Sequence, residues 1–326
     1  MDEQLKFQSR TDLSQLNELI QKIRSEVKKI IVGQDNVIDL LTASILADGH
    51  VLIEGVPGVA KTLMAKILAK TISSGFSRIQ FTPDLMPSDI LGTSVFNMKT
   101  TEFEFNKGPI FSNIILIDEI NRAPAKTQSA LFEVMEERQI SIDGNTYKMQ
   151  EPFIVFATQN PVDQEGTYRL PEAELDRFLF KVGISYPSAE EETEILLSLH
   201  DKPKSNDLDI IEPVFSRETL ASARAAVRKV HLDKNIAAYV SMIVSGTRNN
   251  RDIFLGASPR ASLAIVSGAK AFAAMKGRDF ISPDDVREVV FPALRHRILL
   301  TAEKEMEGST AEEVIKMILD KIEVPR

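Results

Sequence analysis

Eight consecutive residues, Gly55-Val56-Pro57-Gly58-Val59-Ala60-Lys61-Thr62, have the types and spacing to hold a polyphosphate. Glycines let successive backbone N–H groups turn toward one point, Lys61 brings a charge to the β and γ phosphates, and Thr62 offers a hydroxyl to Mg²⁺. The apolar run Val51-Leu52-Ile53 before them reads as a strand, and Leu63-Met64-Ala65-Lys66-Ile67-Leu68 after them as a helix. That helix's N-terminus adds positive potential, so the cradle is taken as Gly55 through Leu63. The strict pattern has Gly where this chain has Ala60, and a small residue there is expected to keep right-handed backbone angles. An ordinary strand-to-helix turn with a solvated Lys is the plain alternative.

A second set of side chains makes that alternative unattractive. Ile114-Ile115-Leu116-Ile117 is apolar at every position, as a strand covered on both faces must be, and it ends in Asp118-Glu119. Carboxylates there lie outside the carboxyl edge of a parallel sheet, where such sheets bind ligands. Asp118 can hold Mg²⁺ or its waters, and Glu119 can orient or deprotonate an attacking water. Asn160 follows the strand Phe153–Ala157 and should emerge at the same edge, where a neutral amide can position that water. A turn-forming Asn before Pro161 is the competing reading. Arg260, behind a capping Ser258 and Pro259, falls in the first turn of a helix, where a cation opposes the helix dipole. In a lid packed over the nucleotide a phosphate would offset that cost, making Arg260 a sensor that couples hydrolysis to lid movement; simple solvent exposure would also explain it.

The elements that must position these groups alternate strand and helix as far as Tyr186. Amphipathic helices are predicted at Asp12–Ile30 and Asn36–Ala47, with Asp35 as cap. Strands are predicted at Val51, Ser77–Thr82, Ile114, Phe153–Ala157 and Leu179–Ile184, with Pro83–Gly92 turn-rich and a short helix near Pro171. Two hairpins interrupt the alternation: Thr93–Phe105, and Gln139–Met149 around the turn signal Asp143-Gly144-Asn145. Beyond a polar linker at Asp201–Pro213 the pattern is helical, at Arg217–Val230, Asp233–Thr247, Pro259–Lys276, Pro283–Arg297 and Ala311–Ile322. The fold class expected is α/β: a five-stranded parallel sheet with two inserted β-hairpins in residues 1–186, and a separate all-α lid in residues 187–326.

Composition excludes several other classes. The chain has 326 residues, 43% hydrophobic and 26% charged, enough apolar material for two cores. It contains no Cys, so disulfides and thiolate metal sites are excluded. The start, Met1–Arg10, has no apolar segment behind a basic tip, and no run approaches the roughly 20 apolar residues that span a bilayer. A cytoplasmic protein without membrane insertion is expected. A net charge of −8 argues against nucleic acid as the main ligand. His50, His200, His231 and His296 are scattered without ligand spacing, and read as packing or surface residues.

Taken together, the phosphate loop, Ile117-Asp118-Glu119-Ile120-Asn121-Arg122-Ala123, Ala157-Thr158-Gln159-Asn160-Pro161, Leu170-Pro171-Glu172-Ala173-Glu174-Leu175-Asp176-Arg177-Phe178 and Gly256-Ala257-Ser258-Pro259-Arg260 resemble the MoxR family of AAA+ ATPases. The resemblance covers nearly all of the chain from Asp12 onward. It implies an AAA+ P-loop core and an ATPase that uses ATP and Mg²⁺ and assembles into a homo-oligomeric ring, usually hexameric. It also implies chaperone-like remodelling of client proteins, often ones with a von Willebrand factor A domain. In the family pattern Arg177 is the arginine finger that reaches a neighbour's γ phosphate, with Arg169 a rival; a surface ion pair with Glu172, Glu174 or Asp176 would explain Arg177 without that role. Gly33-Gln34 matches the place where such ATPases contact adenine. Comparable hairpins in related rings face the central opening and touch the substrate. Here Lys99 and Lys107 are balanced by Glu102 and Glu104, and Lys148 by Asp143, so neither hairpin is a basic stripe for nucleic acid. The function expected is Mg²⁺-dependent ATP hydrolysis that remodels a client. A nucleotide-gated adaptor with little turnover is the second reading and a nucleic-acid motor the third.

Overall fold

A computed structural model describes residues 12–56, 58–160, 167–201 and 208–325, side chains at 198–201 excepted. Pro57 of the phosphate loop, Pro161 and residues 202–207 of the polar linker lie outside the described residues.

The chain opens with α1 (Ser14–Lys28) and α2 (Asp35–Leu46), each burying an apolar stripe. Asp35 is the first helical residue of α2 rather than its cap; the cap is Gln34, in a left-handed conformation, and Asp35 pairs with Lys28 at 2.7 Å. The core follows as β1 (Val51–Gly55), α3 (Lys61–Thr71), β2 (Phe76–Gln80), α4 (Pro87–Leu91), β3 (Gly92–Asn97), β4 (Glu102–Lys107), β5 (Ile114–Asp118), α5 (Ala125–Glu137), β6 (Gln139–Ile142), β7 (Asn145–Lys148), β8 (Ile154–Gln159), α6 (Glu172–Leu175) and β9 (Phe180–Ile184). The stretch expected to be only turn-rich thus contains α4, a single turn started by Pro87.

Five strands form one parallel sheet in the order β2-β5-β8-β1-β9. Strand residues alternate between two apolar clusters, as a pleat of period two requires. Ile114, Leu116, Ile154 and Phe156 face one cluster, while Ile115, Ile117, Val155 and Ala157 face the other with α5. Because the strands are parallel, every strand-to-helix turn emerges at one edge of the sheet and every return at the other.

The hairpins form as expected, β3 with β4 and β6 with β7, both antiparallel. They touch each other: Phe105 packs on Tyr147 with ring centroids 4.5 Å apart, and Ser94 donates a hydrogen bond to Asp143.

The remainder comprises α7 (Ala189–Asp201), α8 (Arg217–Arg228), α9 (Lys234–Arg248), β10 (Ile253–Leu255), α10 (Pro259–Met275), α11 (Pro283–Leu294), β11 (Leu299–Leu300), α12 (Ala302–Met306) and α13 (Ala311–Lys321). Among the described residues the lid is mainly helical, with a two-stranded antiparallel ribbon, β10 with β11, and an isolated bridge between His231 and Phe280. Several of its helices start where side chains satisfy orphan N–H groups: Asp233 caps α9, Ser258 caps α10, and Ser282 with Asp285 forms a reciprocal box on α11. Buried residues of α8 to α11 belong to the same apolar cluster as α1, α2, α3 and one face of the sheet. His50 and His296 are buried packing residues with backbone partners.

Candidate active site

The phosphate loop leaves β1 at the carboxyl edge of the sheet and enters α3 through Ala60. Ala60 has φ 58° and ψ 20°, so the right-handed geometry expected for it is not what the structure contains. A left-handed turn at this point explains why the strict pattern has Gly: only Gly takes it without a clash between Cβ and the backbone. Gly58 is likewise left-handed, at φ 89°, with open space where a Cβ would stand. A Cβ on Gly55 would lie 2.9 Å from the Ile184 carbonyl, so the loop can sit against β9 only with Gly there. Val59 is buried beneath the loop, while Val56 and Leu63 are half-buried against the core. Lys61 Nζ donates to the Gly55 carbonyl at 2.6 Å, folded back over the cradle.

Beside the loop stand the acids. Asp118 ends β5 and Glu119 follows it in a left-handed conformation. The Asp118 carboxylate meets the Thr62 hydroxyl at 3.5 Å and receives a hydrogen bond from Thr158 Oγ1 at 3.2 Å. The same Thr158 oxygen accepts the Glu119 N–H at 3.0 Å, locking the turn between the two acids. Asn160 is buried immediately beyond β8, whose Ala157 is in register with Ile117, so it emerges at the edge of the acids. A hydroxyl and a carboxylate converging from α3 and β5 next to a lysine are the oxygen donors that suit Mg²⁺ on a polyphosphate. Gln34 Nε2 donates to the Ser185 carbonyl at 3.2 Å, just past β9, which puts Gly33-Gln34 at this edge as well.

Three flanking residues complete the site: Arg78 and Gln80 belong to no motif, and Arg122 lies in a matched block without a role assigned to it. Arg78 donates from Nε to Asp118 Oδ2 at 2.6 Å, Gln80 donates to Glu119 Oε2 at 2.8 Å, and Arg122 Nε lies 3.1 Å from the same Glu119 oxygen. Arg78 and Gln80 share a face of β2, and Gln80 is directly opposite Asp118. That adjacency depends on strand order, which local spacing does not reveal.

The arginines lie elsewhere. Asp176 to Leu179 lead into β9 at its amino end, and Leu179 N donates to the His50 carbonyl just ahead of β1. Arg177 and Arg260 are therefore at the amino edge, separated from the phosphate loop of their own chain by β1, five residues or about 16 Å long. They meet on one carboxylate: Arg260 Nη2 donates to Glu136 Oε1 at 2.7 Å, and Arg177 Nη1 lies 3.5 Å from Glu136 Oε2. Arg177 also donates to the Phe132 carbonyl at 3.0 Å. Its Nε is 2.9 Å from Glu174 Oε2, an ion pair too bent to be a hydrogen bond. Arg169, mostly exposed, pairs with Glu172 at 3.1 Å. The anion beside Arg260 is thus Glu136, not a phosphate of its own chain. A shallow cavity of about 340 Å³ opens here, lined among others by Arg138, Arg177, Arg260 and Arg297.

A parallel sheet with a phosphate loop and an acidic pair at its carboxyl edge defines a nucleotide-binding protein of the P-loop class. Residues 50–180 match the ATPase family associated with various cellular activities (AAA), and residues 245–318 match the AAA lid domain. Chaperone MoxR1 of Mycobacterium tuberculosis is 44% identical over 310 residues, covering 92% of this chain and 81% of that protein. An uncharacterized protein of Bacillus subtilis, YeaC, is 46% identical over 95% of this chain and 96% of its own length. A crystal structure from Cytophaga hutchinsonii, described provisionally as an ATPase, superposes with a TM-score of 0.87 at 41% identity, covering 95% of this chain and 96% of that one. The chain belongs to the MoxR family of AAA+ ATPases. Among the described residues no helix is long and apolar enough to cross a membrane.

Proposed function

We propose that the protein hydrolyses ATP with Mg²⁺ at the interfaces of a homo-oligomeric ring, of six subunits in the family pattern, and uses the resulting movement to remodel a client protein. The observation that carries this reading is the division of the site: cradle and acids at one sheet edge, two arginines on a shared carboxylate at the other. Such a subunit has half a site on each of two faces. In this reading Gly55–Leu63 wrap the phosphates, Thr62 and Asp118 hold the metal, Glu119 activates water and Asn160 orients it. Gly33-Gln34 lie against the base. Mg²⁺, when bound, neutralises charge developing on the phosphate oxygens. Arg177 and Arg260 serve the nucleotide of the adjacent subunit, where a guanidinium stabilises transition-state charge. Residues 1–186 form the nucleotide-binding core and 187–326 the lid. The client, in the family pattern, carries a von Willebrand factor A domain.

A mixing experiment tests this. Arg177→Ala and Glu119→Gln proteins are each expected to be inactive in phosphate release, with Lys61→Ala as the nucleotide-free control. Mixed subunits regain turnover, because some interfaces then hold an intact set. Co-assembled mixtures that stay inactive refute the division of the site. A nucleotide-gated adaptor remains the second reading, favoured by the hold of Gln80 and Arg122 on Glu119. It requires wild-type protein that binds ATP and releases no phosphate.

A further inference from the structure

We infer that Arg297 is a positioning residue for Arg177 and Arg260, acting through Asp176 to make the two arginines one unit. Arg297 leaves the end of α11 in the run Arg295-His296-Arg297, and its side chain is 3% exposed. Nε donates to Asp176 Oδ1 at 2.7 Å. Nη2 donates to the Asp176 carbonyl at 2.9 Å and the Phe178 carbonyl at 2.6 Å. Nη1 donates to the Leu179 carbonyl at 3.2 Å and to the Ala293 carbonyl. All five N–H groups of the guanidinium are thereby used, and all acceptors but Ala293 belong to the turn that carries Arg177. His296 adds a second hold on that turn, its Nε2 facing the Phe178 carbonyl at 3.1 Å.

The other Asp176 oxygen continues the connection into the lid. Oδ2 accepts from Ser258 Oγ at 2.8 Å, and Ser258 Oγ in turn accepts the Arg260 N–H at 3.1 Å as the cap of α10. A chain of direct contacts therefore runs from Arg297 through Asp176 and Ser258 to Arg260, while Arg177 follows Asp176 in sequence. Glu136 closes the figure by touching both arginines.

Stability alone is a poor reason for such a residue, because burying a guanidinium costs more desolvation than packing an apolar side chain of similar volume. What Arg supplies is a planar fork whose directions are fixed, and a lysine in its place is a single point charge. Three of its bonds fix the peptide groups around Arg177 in direction as well as position, and a fourth holds the Asp176 carboxylate. Any displacement of α10 or α11 then carries both arginines together.

This inference rests on the reading that Arg177 and Arg260 serve a neighbour's nucleotide, and the experiment separates the two. Arg297→Lys protein is compared with wild type for binding of a fluorescent ATP analogue and for phosphate release. Its own phosphate loop lies at the far sheet edge, so affinity should stay within about twofold while kcat falls on the order of a hundredfold, the cost of misplacing a catalytic group by an ångström. Mixing assigns the defect to a face: Arg297→Lys subunits regain turnover with Glu119→Gln subunits and do not with Arg177→Ala subunits. A merely structural defect would not sort in that way. Wild-type turnover in Arg297→Lys, or rescue by Arg177→Ala in place of Glu119→Gln, overturns the inference. Failure of Arg177→Ala and Glu119→Gln to rescue each other removes the reading beneath it. Should Arg297→Lys not fold, Ser258→Ala cuts the arm to α10 together with that helix's cap and leaves the Arg297 bonds to the Arg177 turn in place; about a tenfold loss with the same mixing pattern is expected, and unchanged turnover refutes the link.

Discussion

Acidification from pH 7.5 to pH 5 is expected to weaken the fold through His50, and the size of the effect follows from its surroundings. His50 is buried at the start of β1, with Nδ1 accepting the Val155 N–H at 2.9 Å and Nε2 facing the Met135 carbonyl at 3.2 Å. Those partners suit a neutral ring, since a second proton would displace the Val155 bond. Burial, followed by the charge of Arg138, holds its pKa down at about 4 against an ordinary 6.5, with Asp48 acting in the opposite sense. A depressed folded pKa means the unfolded chain takes the proton first. The stabilisation is therefore complete above pH 6.5 and is lost as pH falls toward 4. Inside that window the loss is up to about 1.4 kcal/mol per pH unit, or about 2 kcal/mol by pH 5. His296 adds to it with the same sign: burial and then Arg297 hold its pKa well below the usual histidine value. Urea unfolding at pH 7.5, 6 and 5, at constant ionic strength, reads the effect as a falling midpoint. His50→Asn should be weaker at every pH but have a shallower slope between pH 6 and 5. A midpoint that is flat or rising across this range, or a His50→Asn slope equal to wild type, would refute the reasoning.

Ala60→Gly should release the strain of a left-handed alanine, about 1–2 kcal/mol, against about 0.4–1 kcal/mol from the greater freedom of Gly in the unfolded chain. The net expectation is a slightly higher melting temperature; a lower one would show that the loop does not keep this geometry. Arg78→Ala removes a half-exposed cation from Asp118 Oδ2, a pair of about 0.2–1 kcal/mol, so the Mg²⁺ concentration at half-maximal phosphate release should fall by up to about fivefold. An increase would mean that Arg78 assists the metal site. Gly92→Ala would set a Cβ 2.2 Å from the Asn106 carbonyl at a residue with φ 103°, and both faults fall on the base of the first hairpin. A loss of at least about 2 kcal/mol is expected, measured by thermal unfolding, with faster amide exchange in β3 and β4.

Much of this architecture is legible in the sequence, because the signals involved are local. The apolar run ending in Asp118-Glu119, the glycines before Lys61 and the turn Asp143-Gly144-Asn145 each specify their own element within a few residues. The backbone at Ala60 is not legible in the sequence, because composition says only that the residue is small, whereas its handedness is set by how β1 and α3 join. Short features such as α4 and the β10–β11 ribbon lack the length that periodicity needs. Groups that act across the sheet were harder. Nothing in the run Ser77–Thr82 indicates that Arg78 and Gln80 would stand over the acids, since that follows from β2 pairing with β5. The same holds for Arg260. Its first-turn position was apparent, but its anion, Glu136, is 124 residues away in sequence, at the sheet edge far from the expected phosphate.

The apolar cluster common to α1, α2, α3 and the lid helices has a mechanical consequence. Two bodies that share one close-packed interior cannot swing freely about a joint, because opening such a seam would expose side chains now shielded from water. A subunit of this kind behaves as a single lever. In the ring proposed above, displacement from nucleotide turnover would then be delivered at the seams between neighbouring copies, and the assembly would change shape by tilting stiff segments against one another.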